Sequence, residues 1–201
     1  MEGGDPTELE ARTQDAPVVI AVAASAGGLH ALIAVLSPLA PDLPAAVVVV
    51  LHHDPRYESH LEEIFTPRLA LRVARAEAGQ RPAAGTVYVF PADRQLTMSP
   101  DGSFALQDYS AGTHPHPSAD ALFQSLARHS RARLIAVVLT GTGHDGARGV
   151  TAVKQAGGTV IAQDEAAEHF AMPEAAIRTD TVDHIVPLAE MAPLLAKLAS
   201  A

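Results

Sequence analysis

The chain has no cysteine, which excludes disulfides, thiolate metal sites and a cysteine nucleophile. Aromatic residues make up only 4% of its 201 residues, although 48% are hydrophobic. Ala, Val and Leu must therefore build the interior, which suits layers of helices packed on a sheet. No apolar run approaches the roughly 18 residues that a membrane span needs. Basic residues are few: 14 Lys and Arg stand against 23 Asp and Glu, a formal charge of −9. Without a basic stripe, a nucleic-acid partner is not expected. The acidic N-terminus has no basic segment followed by an apolar one, so no signal peptide is read. A soluble cytoplasmic protein without membrane insertion is the expectation.

The length suits one domain with a sizeable core. Residues 1–16 are polar, acidic and aperiodic, and read as a disordered leader; residues 17–201 read as the domain. From Pro17 onward, strand and helix patterns alternate. A strand ending near Val22 leads through Gly27-Gly28 into a helix with Leu29, Leu32, Ile33, Val35 and Leu36 on its apolar side. A strand over Ala45 to Leu51, a helix near Tyr57 to Phe65 and a strand near Leu71 to Ala74 follow. Gly85 to Phe90 and Gln95 to Met98, with the Asp101-Gly102 turn and Phe104 to Leu106, read as an inserted β-hairpin. Ser118 is a candidate N-cap for a helix over Ala119 to Arg128. A strand over Leu134 to Leu139, a helix over Asp145 to Gln155 and a strand over Thr159 to Ala162 come next. A short helix after Pro173, a strand near His184 to Val186 and a helix over Leu188 to Leu198 complete the pattern. The fold class expected is α/β: a doubly wound, mostly parallel sheet flanked by helices, with an inserted hairpin.

Three polar residues each follow a buried apolar run. Ser25 follows Val18 to Val22, His52 follows Val47 to Val50, and Asp145 follows Leu134 to Leu139. In open parallel sheets the functional crevice lies beyond the carboxyl ends of the strands, and a hydroxyl, an imidazole and a carboxylate delivered there are the parts of a nucleophilic hydrolase. Duller readings stand beside each part. Ser25 in its small-residue turn could be only a helix cap. Of the pair His52-His53, alternation sends one to each side of the strand, and the pattern does not say which faces the crevice. Gly141, Gly143 and Gly146 fit G-x-G-x-x-G, with Asp164 about 20 residues on, as in a dinucleotide site. Against that reading, Asp145 would oppose a pyrophosphate and the first strand-to-helix turn lacks the fingerprint. His52, His53, Asp54, His114, His116 and His144 invite a metal site, but no helical ligand spacing supports one.

Taken together, these motifs resemble the catalytic domain of the chemotaxis protein-glutamate methylesterases, the CheB family, from about Pro17 to Met191. The resemblance is carried by Ala24-Ser-Ala-Gly-Gly28, Val48-Val-Val-Leu-His52 with Pro55, and Val87-Tyr-Val-Phe-Pro91. It continues through Leu139-Thr-Gly-Thr-Gly-His-Asp-Gly146, Ala156-Gly-Gly158, Ala162-Gln-Asp-Glu-Ala166 and Met172-Pro173. It implies a serine esterase acting on glutamate methyl esters of a chemoreceptor or related signalling protein, with a glutamine deamidase activity beside it. The nucleophile falls on Ser25, the base on His52 (because Pro55 and Tyr57 then align without a gap) and the acid on Asp145. Backbone amides near Ala26 and Thr142 would hold the oxyanion, and no cofactor or metal is needed. Ala23, Leu51 and His144 stand where the family usually has Gly, Gln, and Asn or Ser. No aspartate-rich receiver pattern precedes Pro17, so control by phosphorylation within this chain is not expected. A non-catalytic receptor-binding or scaffold module of the same fold is the rival reading; the intact Ser, His and Asp argue against it. A nucleotide-binding protein is a third.

Overall fold

The two central strands are buried along their lengths, save the partly buried Leu51 at the end of the second. Val18–Ala24 (β1) and Ala45–Leu51 (β2) are runs of small and β-branched residues covered on two faces, as strands in the middle of a parallel sheet are. The computed structural model describes residues 17–54, 56–91, 93–108, 117–130 and 133–201; the leader read over residues 1–16 lies outside them. Arg72–Arg75 (β3), Thr86–Val89 (β4), Leu134–Val138 (β7), Thr159–Gln163 (β8) and His184–Val186 (β9) complete a seven-stranded sheet of order β3-β4-β2-β1-β7-β8-β9. Every neighbouring pair in it is parallel. Arg94–Met98 (β5) and Phe104–Asp108 (β6) form a separate antiparallel hairpin.

Alternation along β1 divides the core. Val18, Ile20, Val22 and Ala24 face helices Gly28–Leu36 (α1), Leu61–Phe65 (α2) and Leu188–Ser200 (α6). Val19, Ala21 and Ala23 face Ala119–His129 (α3), Ala147–Gln155 (α4), Ala171–Ile177 (α5) and the hairpin. From β1 the chain winds first toward β2, β4 and β3, then returns to the far side of β1 as β7. The strand order thus reverses between β1 and β7, the position at which open parallel sheets place a binding crevice beyond the carboxyl ends.

The expected α/β class is the observed one. Three local expectations need correction. The segment Gly85 to Phe90 is not part of the hairpin: its core, β4, is a fully buried parallel strand between β3 and β2. The alternation of Thr86-Val-Tyr-Val89 mimics a hairpin strand because Val87 and Tyr88 fill opposite core layers. The helix read from Tyr57 begins only at Leu61, and Tyr57 is 68% exposed. Asp54 diverts the chain there, accepting from the Arg56 amide and guanidinium while its carbonyl accepts from Tyr57 N. Leu29, read as apolar-face, lies in the first turn of α1 and is exposed at the rim.

The hairpin is bound to the sheet by aromatic packing. Tyr88 and Phe104 meet edge to face, with ring centroids 4.9 Å apart, and Leu96 and Met98 join the same core layer. The Phe104→Ala substitution should destabilise the fold by about 3–5 kcal/mol, the range for truncating a buried Phe. Urea unfolding would measure it; a loss under about 1 kcal/mol would mean that the hairpin is only loosely attached.

Candidate active site

The register of the sheet places the site. Ala24 pairs with Leu51 across β1 and β2, and Ala23 pairs with Val138 across β1 and β7. The next residues in register are Ser25 and His52, so the ends of adjacent strands bring them side by side. Backbone bonds extend the ladder past the strands: His52 N donates to Ala24 O at 3.0 Å, Ser25 N to Thr140 O at 3.0 Å, and Leu139 N to Ala23 O at 2.9 Å. Ser25 is half-buried in this bridge. Helix α1 is capped by Gly27, with φ of 73°, and no side chain caps it. The Ser25 hydroxyl is therefore not its helix cap.

The two histidines part company. The His52 ring is turned inward, 9% exposed, and its Nε2–H donates to Asp145 Oδ2 at 2.8 Å. The His53 ring folds back, and its Nδ1–H donates to the Leu51 carbonyl at 2.7 Å. His52 is thus turned toward Asp145, whereas His53 is held to the backbone through Nδ1 alone and its buried Nε2 has no partner among the described residues.

Asp145 lies just ahead of α4, whose N-cap is Gly146, so the helix read from Asp145 starts two residues later. Its carboxylate seats on the N-terminus of α3. Oδ1 accepts from Ser118 Oγ and Asp120 N, both at 3.1 Å; Oδ2 accepts from Ala119 N at 2.6 Å as well as from His52. Ser118 is the α3 N-cap expected, its Oγ accepting from Ala121 N at 3.2 Å. Burial pushes the Asp145 carboxyl up, but the His52 bond and the Asp120 and Ala119 amides outweigh it and hold it below the usual carboxylate range. Asp145 thus carries its charge at neutral pH.

Further residues shape the rim. Thr140 Oγ1 donates to Ala26 O at 3.1 Å and accepts from His169 N at 2.9 Å, while Thr140 N donates to the buried Gln163 Oε1 at 2.9 Å. One threonine thereby links the Ser25 turn to the segment before α5. Gly141 has no room for a side chain: a Cβ there would lie 2.3 Å from Met172 Sδ and 2.8 Å from Ser25 Cβ. Thr140, Gln163 and Met172 stand in the motifs that carry the resemblance, but the sequence assigns them no role, because their contacts form only between elements distant in sequence. Ala26 is half-buried next to Ser25, and Thr142 is exposed in the turn before Asp145.

The Gly141 to Gly146 turn offers no phosphate cradle at the start of α4. The Gly146 and Gly149 amides are already taken by Asp120 Oδ1, at 3.0 and 2.7 Å, and Asp164 accepts from Ala166 N within its own turn. Of the residues considered for a metal, Asp54 pairs with Arg56, His144 is exposed, and His114 and His116 lie outside the described residues. No described helix is long and apolar enough to cross a membrane.

The sequence model of the CheB methylesterase family matches residues 20–195. A protein-glutamate methylesterase/protein-glutamine glutaminase of Moorella thermoacetica is 39% identical over 186 residues, 90% of this chain and 44% of its own. A counterpart from Burkholderia lata is 38% identical, over 90% of this chain and 51% of its own. The chain thus spans about half the length of these curated relatives. Among solved structures, the CheB methylesterase catalytic domain of Thermotoga maritima is similar with a TM-score of 0.84 and 31% identity, covering 91% of this chain and 98% of that one.

The lowered carboxyl of Asp145 has a consequence for stability. With its folded value below the ordinary 3.8, its contribution is complete above the carboxylate range and is lost as pH falls through the folded value. In urea unfolding, the native chain's advantage over Asp145→Asn should stay level from about pH 7 to about 5 and shrink below about pH 4. An advantage that persists unchanged at lower pH would count against the charged seat on α3.

Proposed function

This chain belongs to the CheB methylesterase family, and we propose that it is a serine esterase that hydrolyses glutamate methyl esters with Ser25, His52 and Asp145. The observation that carries this reading is the inward His52 ring held by an ionised Asp145 at 2.8 Å, one strand away in register from a serine that caps no helix. The carboxylate accepts Nε2–H, which fixes the tautomer and leaves the Nδ1 lone pair as the base. Nδ1 takes the Ser25 hydroxyl proton as Oγ attacks the ester carbonyl, and Asp145 stabilises the imidazolium that forms.

The developing oxyanion lies between the Ser25 turn and the Thr140 to Asp145 turn. The Ala26 and Thr142 amides suit it, since neither donates to another group among the described residues. Collapse of the tetrahedral species breaks the bond to the methoxy oxygen, and the imidazolium returns the proton so that methanol leaves. Water, deprotonated by the same nitrogen, then attacks the acyl-enzyme and restores glutamate. An amide in the same position would release ammonia, so a glutamine side chain is a second substrate class. The substrate is a methylated receptor or related signalling protein, whose side chain must reach the rim from outside the fold. This reading needs no cofactor.

Methanol release from a methylated peptide or receptor fragment tests the nucleophile. Ser25→Ala should abolish it, with at most about 1–2 kcal/mol lost in stability, the scale of a single polar contact; a folded, active variant would remove Ser25 from the role. His52→Ala should lower turnover on the order of 10³-fold or more, whereas His53→Ala should be mild. Reversed effects would move the base to His53. Absence of both turnover and labelling by a serine-directed phosphonate would favour a non-catalytic module.

A further inference from the structure

We propose that Asp120 is a positioning residue for Asp145 and, through it, for the His52 imidazole; the inference rests on the esterase reading above. Asp120 is a carboxylate only 5% exposed in the first turn of α3. Its Oδ1 accepts from Gly146 N at 3.0 Å and Gly149 N at 2.7 Å, and its Oδ2 accepts from Arg148 Nε at 2.9 Å. It therefore fills the N-terminus of α4, the helix whose N-cap, Gly146, follows Asp145. Asp145 in turn fills the N-terminus of α3 and accepts from the backbone amide of Asp120 itself.

The two helix ends thus exchange carboxylates. Each end presents unpaired amides and a positive dipole, and each is satisfied by an aspartate from the other's first turn or approach. The pairing matters for chemistry because Asp120 accepts from both the Gly146 and Gly149 amides, while Ala147 N donates to His144 O. Without that carboxylate, the Gly146 and Gly149 amides would be left without acceptors beside the one remaining buried carboxylate, Asp145. Buried amides do not stay unpaired when an acceptor is in reach. Asp145 would be drawn toward α4 and its oxygen away from His52 Nε2. A displacement near 1 Å in a reacting constellation costs about 10²-fold in rate.

A graded pair of variants tests this, with turnover and the ¹H–¹⁵N resonance of His52 Nε2–H both read on folded protein. Asp120→Ala should lower kcat about 10²-fold, leave KM within about threefold, and move or broaden that resonance by weakening its bond to Asp145. Asp120→Asn keeps an oxygen for the two amides, though a weaker acceptor than a carboxylate. It should lose about three- to tenfold in kcat and shift the resonance part of the way. An Asp120→Ala protein with a lower Tm but an unmoved resonance and native kcat would overturn the proposal, leaving Asp120 a structural cap. Should Asp120→Ala fail to fold, an unmoved resonance in Asp120→Asn would overturn it equally. The resonance needs no turnover, so a native chain inactive on every ester would fail the esterase reading while this hold on Asp145 is still measured.

Discussion

The structure turns on one buried carboxylate. Asp145 is almost inaccessible, and a charge in such a place is tolerated only when donors replace the water it has lost. Two backbone amides, a serine hydroxyl and an imidazole do so. The α3 N-terminus supplies three of the four, so the helix is both a packing element and the electrostatic seat of the acid. Because that seat keeps Asp145 ionised, His52 has a fixed partner and a fixed tautomer.

The sheet does the remaining alignment. Strands β2, β1 and β7 are neighbours, and adjacent strands lie about 4.8 Å apart. Ser25 and His52 therefore stand side by side just beyond the ends of β1 and β2, and Asp145 reaches His52 from the turn that follows β7. Small residues make this convergence possible. Ala23 and Ala24 let the strand end stay fully buried, and Gly141 leaves room for Met172 and Ser25 to close on the same point. Thr140 then ties the Ser25 turn to the segment preceding α5.

The sequence showed the pattern of strands and helices well where burial was two-sided and continuous. Ala45 to Leu51 was legible to the residue because an unbroken Val run has no polar face to confuse it. Thr86 to Val89 was not, since alternating Val and Tyr read as part of the inserted hairpin when the strand in fact lies in the parallel sheet with both sides covered. The exposed Tyr57 fell outside its expected helix because a local Asp54–Arg56 pair outweighed apolar spacing. At the site, strand-end position marked Ser25, the pair His52-His53 and Asp145 as candidates, and the spacing of the motifs was enough to suggest the family and, through it, His52.

Sequence by itself determined the layers, the parallel sheet and the three residues delivered to its rim, because hydrophobic period and turn chemistry are local properties written along the chain. Tertiary structure decided what those residues contact. That His52 turns inward while His53 folds onto Leu51 depends on an acceptor 93 positions away, and no local rule encodes it. The exchange of Asp120 and Asp145 between two helix ends likewise exists only once α3 and α4 pack together. The glycine turn, ambiguous as a string, lost its phosphate reading because a side chain from another helix already occupies the amides.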